Sequence, residues 1–186
     1  MKRLFDLFLS ITLLILLCPL IVFCFLLVKF TSKGPALYWS KRVGINNCIF
    51  LMPKFRSMKI HTPQLATHLL TDSDNFLTPV GSFIRKTSLD ELPQLWSVLS
   101  GDMSFVGPRP ALFNQDDLIK LRTEAGVHTL KPGITGYAQI NGRDSISIDE
   151  KAKLDSFYLE NNGILFDFKI ILSTAFAVLK KNNISH

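Results

Sequence analysis

The chain opens on a block with almost no polar interruption. From Leu7 to Val28 run 22 residues without a charge, about 33 Å as a straight helix and enough to cross a bilayer core. Beyond residue 30 the pattern shortens. "PALYWSKRVG" and "CIFLMPKFRSM" are aromatic and β-branched runs around the turn-prone "INN", which predicts a β-hairpin. "IHTPQLATHLLTDSDNFLTPVG" is polar and proline-broken and reads as a mobile loop with at most a short helix. Leu92, Leu95, Trp96 and Leu99 recur at helical spacing, and Gly101 ends that helix. "DDLIKLRTEAG" predicts a short amphipathic helix stopping at Gly126, and "IDEKAKLDSFYLEN" a helix capped by Asp149. "FDFKIILSTAFAVLKKNN" is an unusually apolar helix, suited either to a membrane interface or to a buried core, with Lys180 and Lys181 where the helix dipole favours cations. The fold class expected is α+β: a small, mainly helical domain with a β-hairpin and amphipathic helices behind an apolar N-terminal segment.

That segment admits two topologies. The sequence after it, "KFTSKGPALYW", lacks a small-x-small cleavage site, so removal is not expected. One spanning helix is the plain reading. Against it, Lys2 and Arg3 precede the segment while Lys29, Lys33, Lys41 and Arg42 follow it, and the positive-inside rule pulls both ends to the cytoplasm. Pro19 sits near the middle, where it removes one helical hydrogen bond that lipid cannot replace. A re-entrant helix-break-helix returning to its own side is the second topology.

Composition narrows the partners. At 47% hydrophobic residues, with positive mean hydropathy, part of the chain belongs in lipid. A net charge of +6 suits anionic lipid, a phosphorylated substrate or nucleic acid. Interleaved basic and aromatic runs on one face are missing, which argues against nucleic acid. Cys18 and Cys24 lie in the apolar segment and Cys48 stands alone, so neither a disulfide framework nor CxxC metal spacing is present, and a reducing, cytosol-facing compartment fits. The four histidines form no metal-ligand pattern.

The candidate chemistry is cationic groups gathered around an acidic pair. In "RKTSLDELPQLWSVLSGDM", Asp90 and Glu91 adjoin at a helix start. Ser88 and Glu91 match a capping box, and Asp90 could itself be the N-cap with Pro93 in the first turn, so acids belong there for mundane reasons too. Arg85 and Lys86 precede the pair, and Arg109 stands between Pro108 and Pro110, a stiff, extended display of one guanidinium. "LKPGITGYAQINGRD" is turn-rich, its Gly133, Gly136 and Gly142 permitting close backbone approach to a ligand, with Arg143 beside the last. It matches neither GxGxxG nor the Walker pattern. Lys54 and Arg56, two apart on the second strand, present either a cationic face toward phosphates or a solvated edge. Guanidinium forks bind phosphate, and carboxylates among them tolerate a phosphorylated substrate when a divalent cation such as Mg²⁺ intervenes. These residue types suggest metal-assisted phosphoryl transfer at a membrane surface.

"KFRSM", "RKTSLDELPQLWSVLSGDMSFVGPRP" and "KPGITGYAQINGRD", in that order behind a proline-containing apolar segment, resemble the small monotopic phosphoglycosyl transferases, or bacterial sugar transferases. The resemblance runs over nearly the whole chain. It implies transfer of a sugar-1-phosphate from a UDP-sugar to undecaprenyl phosphate with loss of UMP. That reaction initiates a surface glycan such as O-antigen lipopolysaccharide, capsule, exopolysaccharide or a glycoprotein glycan, with downstream glycosyltransferases as partners. An N-acetylated amino sugar is the expectation at family level. The resemblance carries the catalytic dyad onto Asp90 and Glu91, with Asp90 the nucleophile of a covalent phosphosugar intermediate, ping-pong kinetics, and Mg²⁺ as cofactor at the pair. Arg85 would touch phosphate, and Arg109 and Arg143 would bind the donor, with Lys54 and Arg56 as further substrate-binding candidates. The family's re-entrant helix breaks at a Ser-Pro pair, here Cys18-Pro19, a weaker hydrogen-bond donor in front of the same proline. The organisation implied is a re-entrant helix-break-helix over residues 1–30 and a catalytic domain over 31–186, on the cytoplasmic face of the bacterial inner membrane. The contending class is a non-catalytic membrane-surface module that binds lipid or a partner enzyme. A carboxylate-pair glycosidase fits poorly, because adjacent helical residues diverge by about 100°.

Overall fold

The computed structural model describes residues 1–63, 73–142 and 146–181. Helix α1 (Lys2–Thr31) takes up the whole apolar block and contains Pro19. Pro19 lies within this single helical run, because proline deletes one backbone donor while the turns on either side keep theirs. One stripe of α1 faces protein. Asp6, Ser10, Cys24 and Val28 are buried, and Leu13, Leu14, Leu17, Leu20 and Ile21 pack beside them. The opposite stripe, including Leu4, Phe8, Ile11, Ile15, Val22 and Phe30, is apolar and exposed.

Both ends of α1 are fixed to the same body. At the first turn Lys2 Nζ donates to the Val106 carbonyl and the Tyr158 hydroxyl and pairs with Asp167. Arg3 donates to the Val98 and Leu99 carbonyls, and Asp6 accepts from the Phe105 N–H at 3.1 Å. At the far end Cys24 and Val28 join Ala36, Phe55 and Ile84 in one hydrophobic cluster.

Strands β1 (Leu37–Val43) and β2 (Ile49–Phe55) form the expected antiparallel hairpin, in register from Leu37↔Phe55 to Val43↔Ile49. A 3₁₀ turn over Ile45–Asn47 joins them, with Asn46 and Asn47 at positive φ, which asparagine tolerates. Ser40 and Met52 face the core, while Trp39 and Leu51 are exposed on the other face. A second sheet, not expected from the sequence, pairs β3 (Ser104–Val106) with β4 (Gly133–Thr135) in parallel.

The helices cover these sheets. α2 (Gly81–Lys86) and α3 (Gln94–Ser100) lie between the hairpin and β3 in sequence; α4 (Asp116–Glu124) and α5 (Tyr137–Ile140) flank β4. α6 (Ile148–Asn161) is capped by Ser147, whose Oγ accepts from the Glu150 N–H at 3.2 Å. Asp149, the cap expected from sequence, sits in the first turn instead, where its charge suits the dipole. α7 (Ile164–Lys181) buries Ile170 and exposes Leu165, Phe168, Leu172 and Phe176, so it serves core and outer surface together. The main core gathers Met52, Val98, Met103, Phe105, Tyr158 and Ile170 from five elements, each apolar side chain contributing about 1.5–3 kcal/mol when fully buried.

Candidate active site

The acidic pair lies on a connection between helices. α2 ends in Arg85 and Lys86, and Ser88 then adopts a left-handed conformation (φ 58°) that turns the chain into a 3₁₀ segment, Leu89–Glu91. α3 begins only at Gln94, with Pro93 as its N-cap and no side chain capping it. The capping box expected between Ser88 and Glu91 does not form, and Asp90 is not the cap of α3. The tight turn carries both carboxylates away from the start of α3, toward β2 and the segment after β3.

Glu91 makes the direct contacts. Its Oε1 accepts from Lys54 Nζ at 2.8 Å and from Arg109 Nη2 at 3.0 Å. Asp90, only 9% exposed, lies in the field of Lys54, Arg85 and Arg109. The two acids therefore hold protons differently. Burial raises the Asp90 carboxyl above its usual range, as does the neighbouring Glu91 charge, and the three cations only partly offset this. Burial acts on Glu91 too, but Arg109 and Lys54 outweigh it and hold that carboxyl well below the usual range. Lys54 is lowered by its own burial, against the pull of Glu91. The result is one firmly ionised carboxylate beside one with an enhanced hold on its proton.

The segment presenting Arg109 is tied down carbonyl by carbonyl. Val106 O accepts from Lys2 Nζ and from the Tyr158 hydroxyl, and Pro108 O from the Gly133 N–H at 2.9 Å. Arg109 O accepts from Arg122 Nη1 at 2.8 Å, Pro110 O from Arg42 Nη1 at 3.0 Å, and Ala111 O from the Val43 N–H at 3.0 Å. The Arg109 side chain is 41% exposed. Arg42 entered the sequence reading only as a charge flanking the apolar segment and Arg122 not at all, and no local spacing marks either for this role. Arg42 is half-buried, donating to the Ser40 hydroxyl and the Pro110 carbonyl, and desolvation, then the nearby Arg109 charge, lowers its guanidinium to about 10.

Of the remaining expected residues, Arg85 joins the site from the last turn of α2 through its charge on Asp90. Arg56 lies just past β2, beside Gly34 and Ile60, and is not among the charges acting on either carboxylate. Of the strand pair, then, Lys54 alone reaches the acids. Arg143 falls outside the described residues. Cys18 is exposed on α1. Gly133 and Gly136 do not open the backbone to a ligand as expected; they admit another stretch of this chain. A Cβ on Gly133 would stand 2.2 Å from Gly107 N, and one on Gly136 2.2 Å from Gly107 O. Among the described residues no third carboxylate, histidine or cysteine joins Asp90 and Glu91 in a cluster able to hold a metal.

The comparisons with known proteins agree with these motifs. A family model described as bacterial sugar transferase matches residues 1–181. An undecaprenyl-phosphate galactose phosphotransferase of Salmonella typhimurium is 38% identical over 98% of this chain and 41% of its own length. An uncharacterized sugar transferase of Bacillus subtilis, EpsL, is 42% identical over 99% of this chain and 90% of its own. A UDP-glucose:undecaprenyl-phosphate glucose-1-phosphate transferase of Escherichia coli is 37% identical over 95% of this chain and 39% of its own. The chain thus spans about two fifths of the length of the two enterobacterial relatives and nine tenths of the Bacillus one.

Proposed function

The chain belongs to the bacterial sugar transferase family, and on that premise we propose that it transfers a sugar-1-phosphate from a UDP-sugar to undecaprenyl phosphate, at the cytoplasmic face of a bacterial inner membrane, to begin a surface glycan. The observation that carries this reading is the acidic pair, Asp90 buried and Glu91 half-buried, ringed by Lys54, Arg85 and Arg109, on a body whose longest helix exposes an apolar stripe.

Two half-reactions account for the parts. In the first, an Asp90 carboxylate oxygen attacks the sugar-bearing phosphorus of the UDP-sugar, the bond from that phosphorus to the bridging oxygen breaks, and UMP leaves with that oxygen. In the second, a phosphate oxygen of undecaprenyl phosphate attacks the same phosphorus, releasing the Asp90 carboxylate and giving the undecaprenyl diphosphosugar. Arg109 and Arg85 neutralise phosphate charge, and Lys54 holds Glu91 ionised against the loop. Mg²⁺ fits the donor set in one way. Glu91 Oε1 is engaged by Lys54 and Arg109, which leaves the Asp90 carboxylate, the second Glu91 oxygen and the substrate phosphates, in keeping with an ion that takes one or two carboxylates plus phosphates. Bound there, it would supply further charge neutralisation.

α1 supports a membrane association. A helix that crossed the bilayer would separate its ends, whereas Lys2 and Val28 both contact the same body. The reading is therefore monotopic, with the exposed stripe of α1, and that of α7, sunk into lipid and the acids at headgroup height.

A panel of UDP-sugars with undecaprenyl phosphate tests the function, starting from UDP-galactose and UDP-glucose, the sugars in the names of two relatives, and the N-acetylated sugars. One of them should give UMP and undecaprenyl diphosphosugar in equal amounts. Lipid binding by folded protein with no UMP from any donor would favour a non-catalytic surface module.

A further inference from the structure

Behind the segment that displays Arg109 lies an ion pair without a part in the chemistry so far. Arg122, on α4, is 8% exposed, and Asp155, on α6, is 1% exposed. Arg122 Nε and Nη2 both donate to Asp155 Oδ2, at 2.9 and 2.6 Å, and its third arm, Nη1, donates to the carbonyl of Arg109 at 2.8 Å. Burying such a pair is a poor way to gain stability, because desolvation of two charges offsets their attraction and apolar side chains of the same volume do as well. An apolar pair could not fix the Arg109 peptide. A cavity of about 30 Å³ bordered by Pro108, Pro110 and Arg122 adjoins the pair.

We propose that Arg122, oriented by Asp155, is a positioning residue that sets the backbone of Arg109 and thereby aims its guanidinium at the phosphates of the donor, an inference that rests on the donor-binding role of Arg109. The requirement is for a planar fork. Two nitrogens grip one carboxylate oxygen while the third reaches a carbonyl on another segment, and a lysine ammonium, whose donors radiate from one atom, cannot span both. Burial raises the Asp155 carboxyl above its usual range, and the Arg122 guanidinium, bonded to it through two donors, opposes that shift.

A double-mutant cycle on the full chain tests this, read as calorimetric affinity for UDP and as kcat/KM for UMP release. Arg122→Lys alone should weaken both on the order of 10- to 100-fold, the scale of a binding group displaced by about 1 Å. Added to Arg109→Ala, it should change either by less than about twofold, since its effect passes through Arg109. Asp155→Asn, which keeps the size and one acceptor, goes through the same cycle and decides the matter if Arg122→Lys does not fold. Full affinity in a folded Arg122→Lys protein, or losses that multiply with those of Arg109→Ala, overturns the positioning role. If Arg109→Ala by itself leaves UDP affinity and turnover intact, it is the donor-site reading of Arg109 that fails, and the positioning role with it.

Discussion

Asp90 and Glu91 are adjacent in the chain, yet their surroundings push their proton affinities apart. Glu91 is neutralised by two contacts; Asp90 has charge near it but is buried enough that ionisation is disfavoured. Such a carboxylate stores a stability penalty that substrate or cation can relieve. The sign is definite. A folded pKa above the unfolded value means the native state binds the proton better, so stability falls as pH rises past the ordinary 3.8 toward the raised value, and the penalty persists above it. Asp90→Asn should therefore be at least as stable as the parent at pH 8, melting higher by roughly 2–4 °C for each kcal/mol relieved. That advantage should shrink as the pH falls and the parent carboxyl takes up its proton. Melting curves at pH 8 and pH 4.5 check this, and a lower melting temperature at pH 8 would contradict it. Glu91→Gln should behave oppositely, losing about 1–3 kcal/mol because Lys54 and Arg109 are left facing each other in partial burial. At this scale the sequence was informative where residue type limits the chemistry: Asp90, Glu91, Arg109, Lys54 and Arg85 do converge. Arg122 and Asp155, 33 positions apart on separate helices, left no trace because their partnership exists only after α4 and α6 pack.

At the scale of elements, long periodic segments were legible and short ones were not. The hairpin, α3, α4, α6 and α7 follow from the sequence pattern, but α5 is four residues long, β3 and β4 are three residues each, and none of these carries a period. Their signal was the glycines, and its meaning was ambiguous: Gly133 and Gly136 could have admitted a ligand, whereas they admit Gly107. Gly136→Ala should push its Cβ into the Gly107 carbonyl, 2.2 Å away, and with no flexible side chain to yield it should destabilise by about 1–3 kcal/mol or more. Denaturant unfolding measures that cost. Activity should fall with it, because Gly107 leads directly into Pro108 and Arg109. The capping box failed for a related reason. Sequence pattern placed the acids at a helix start, but a left-handed Ser88 and Pro93 insert a 3₁₀ turn, so the carboxylates meet cations across the fold in place of backbone N–H groups.

For the whole molecule, the apolar block was read correctly as helix, and Pro19 falls within its run. What decides its course is tertiary contact invisible to hydropathy: Lys2, Arg3 and Asp6, which as sequence were flanking charges, are bonded to β3, α3 and α7. If the first turn stays on the body in the cell, a cysteine inserted between Met1 and Lys2 of otherwise cysteine-free protein should react with an impermeant maleimide in inverted membrane vesicles and remain unreacted in intact cells. Labelling from outside would mean that α1 crosses the bilayer.

A soluble donor and a lipid acceptor can share one site in turn only if the enzyme itself carries the phosphosugar between them. The direct test is to mix purified protein, Mg²⁺ and the active UDP-sugar with no polyprenyl phosphate and to quantify UMP. The account predicts release of up to one equivalent, a phosphosugar on the peptide containing Asp90, and the loss of both signals in Asp90→Asn. UMP that appears only once the lipid acceptor is added, or full turnover by a folded Asp90→Asn protein, would contradict it.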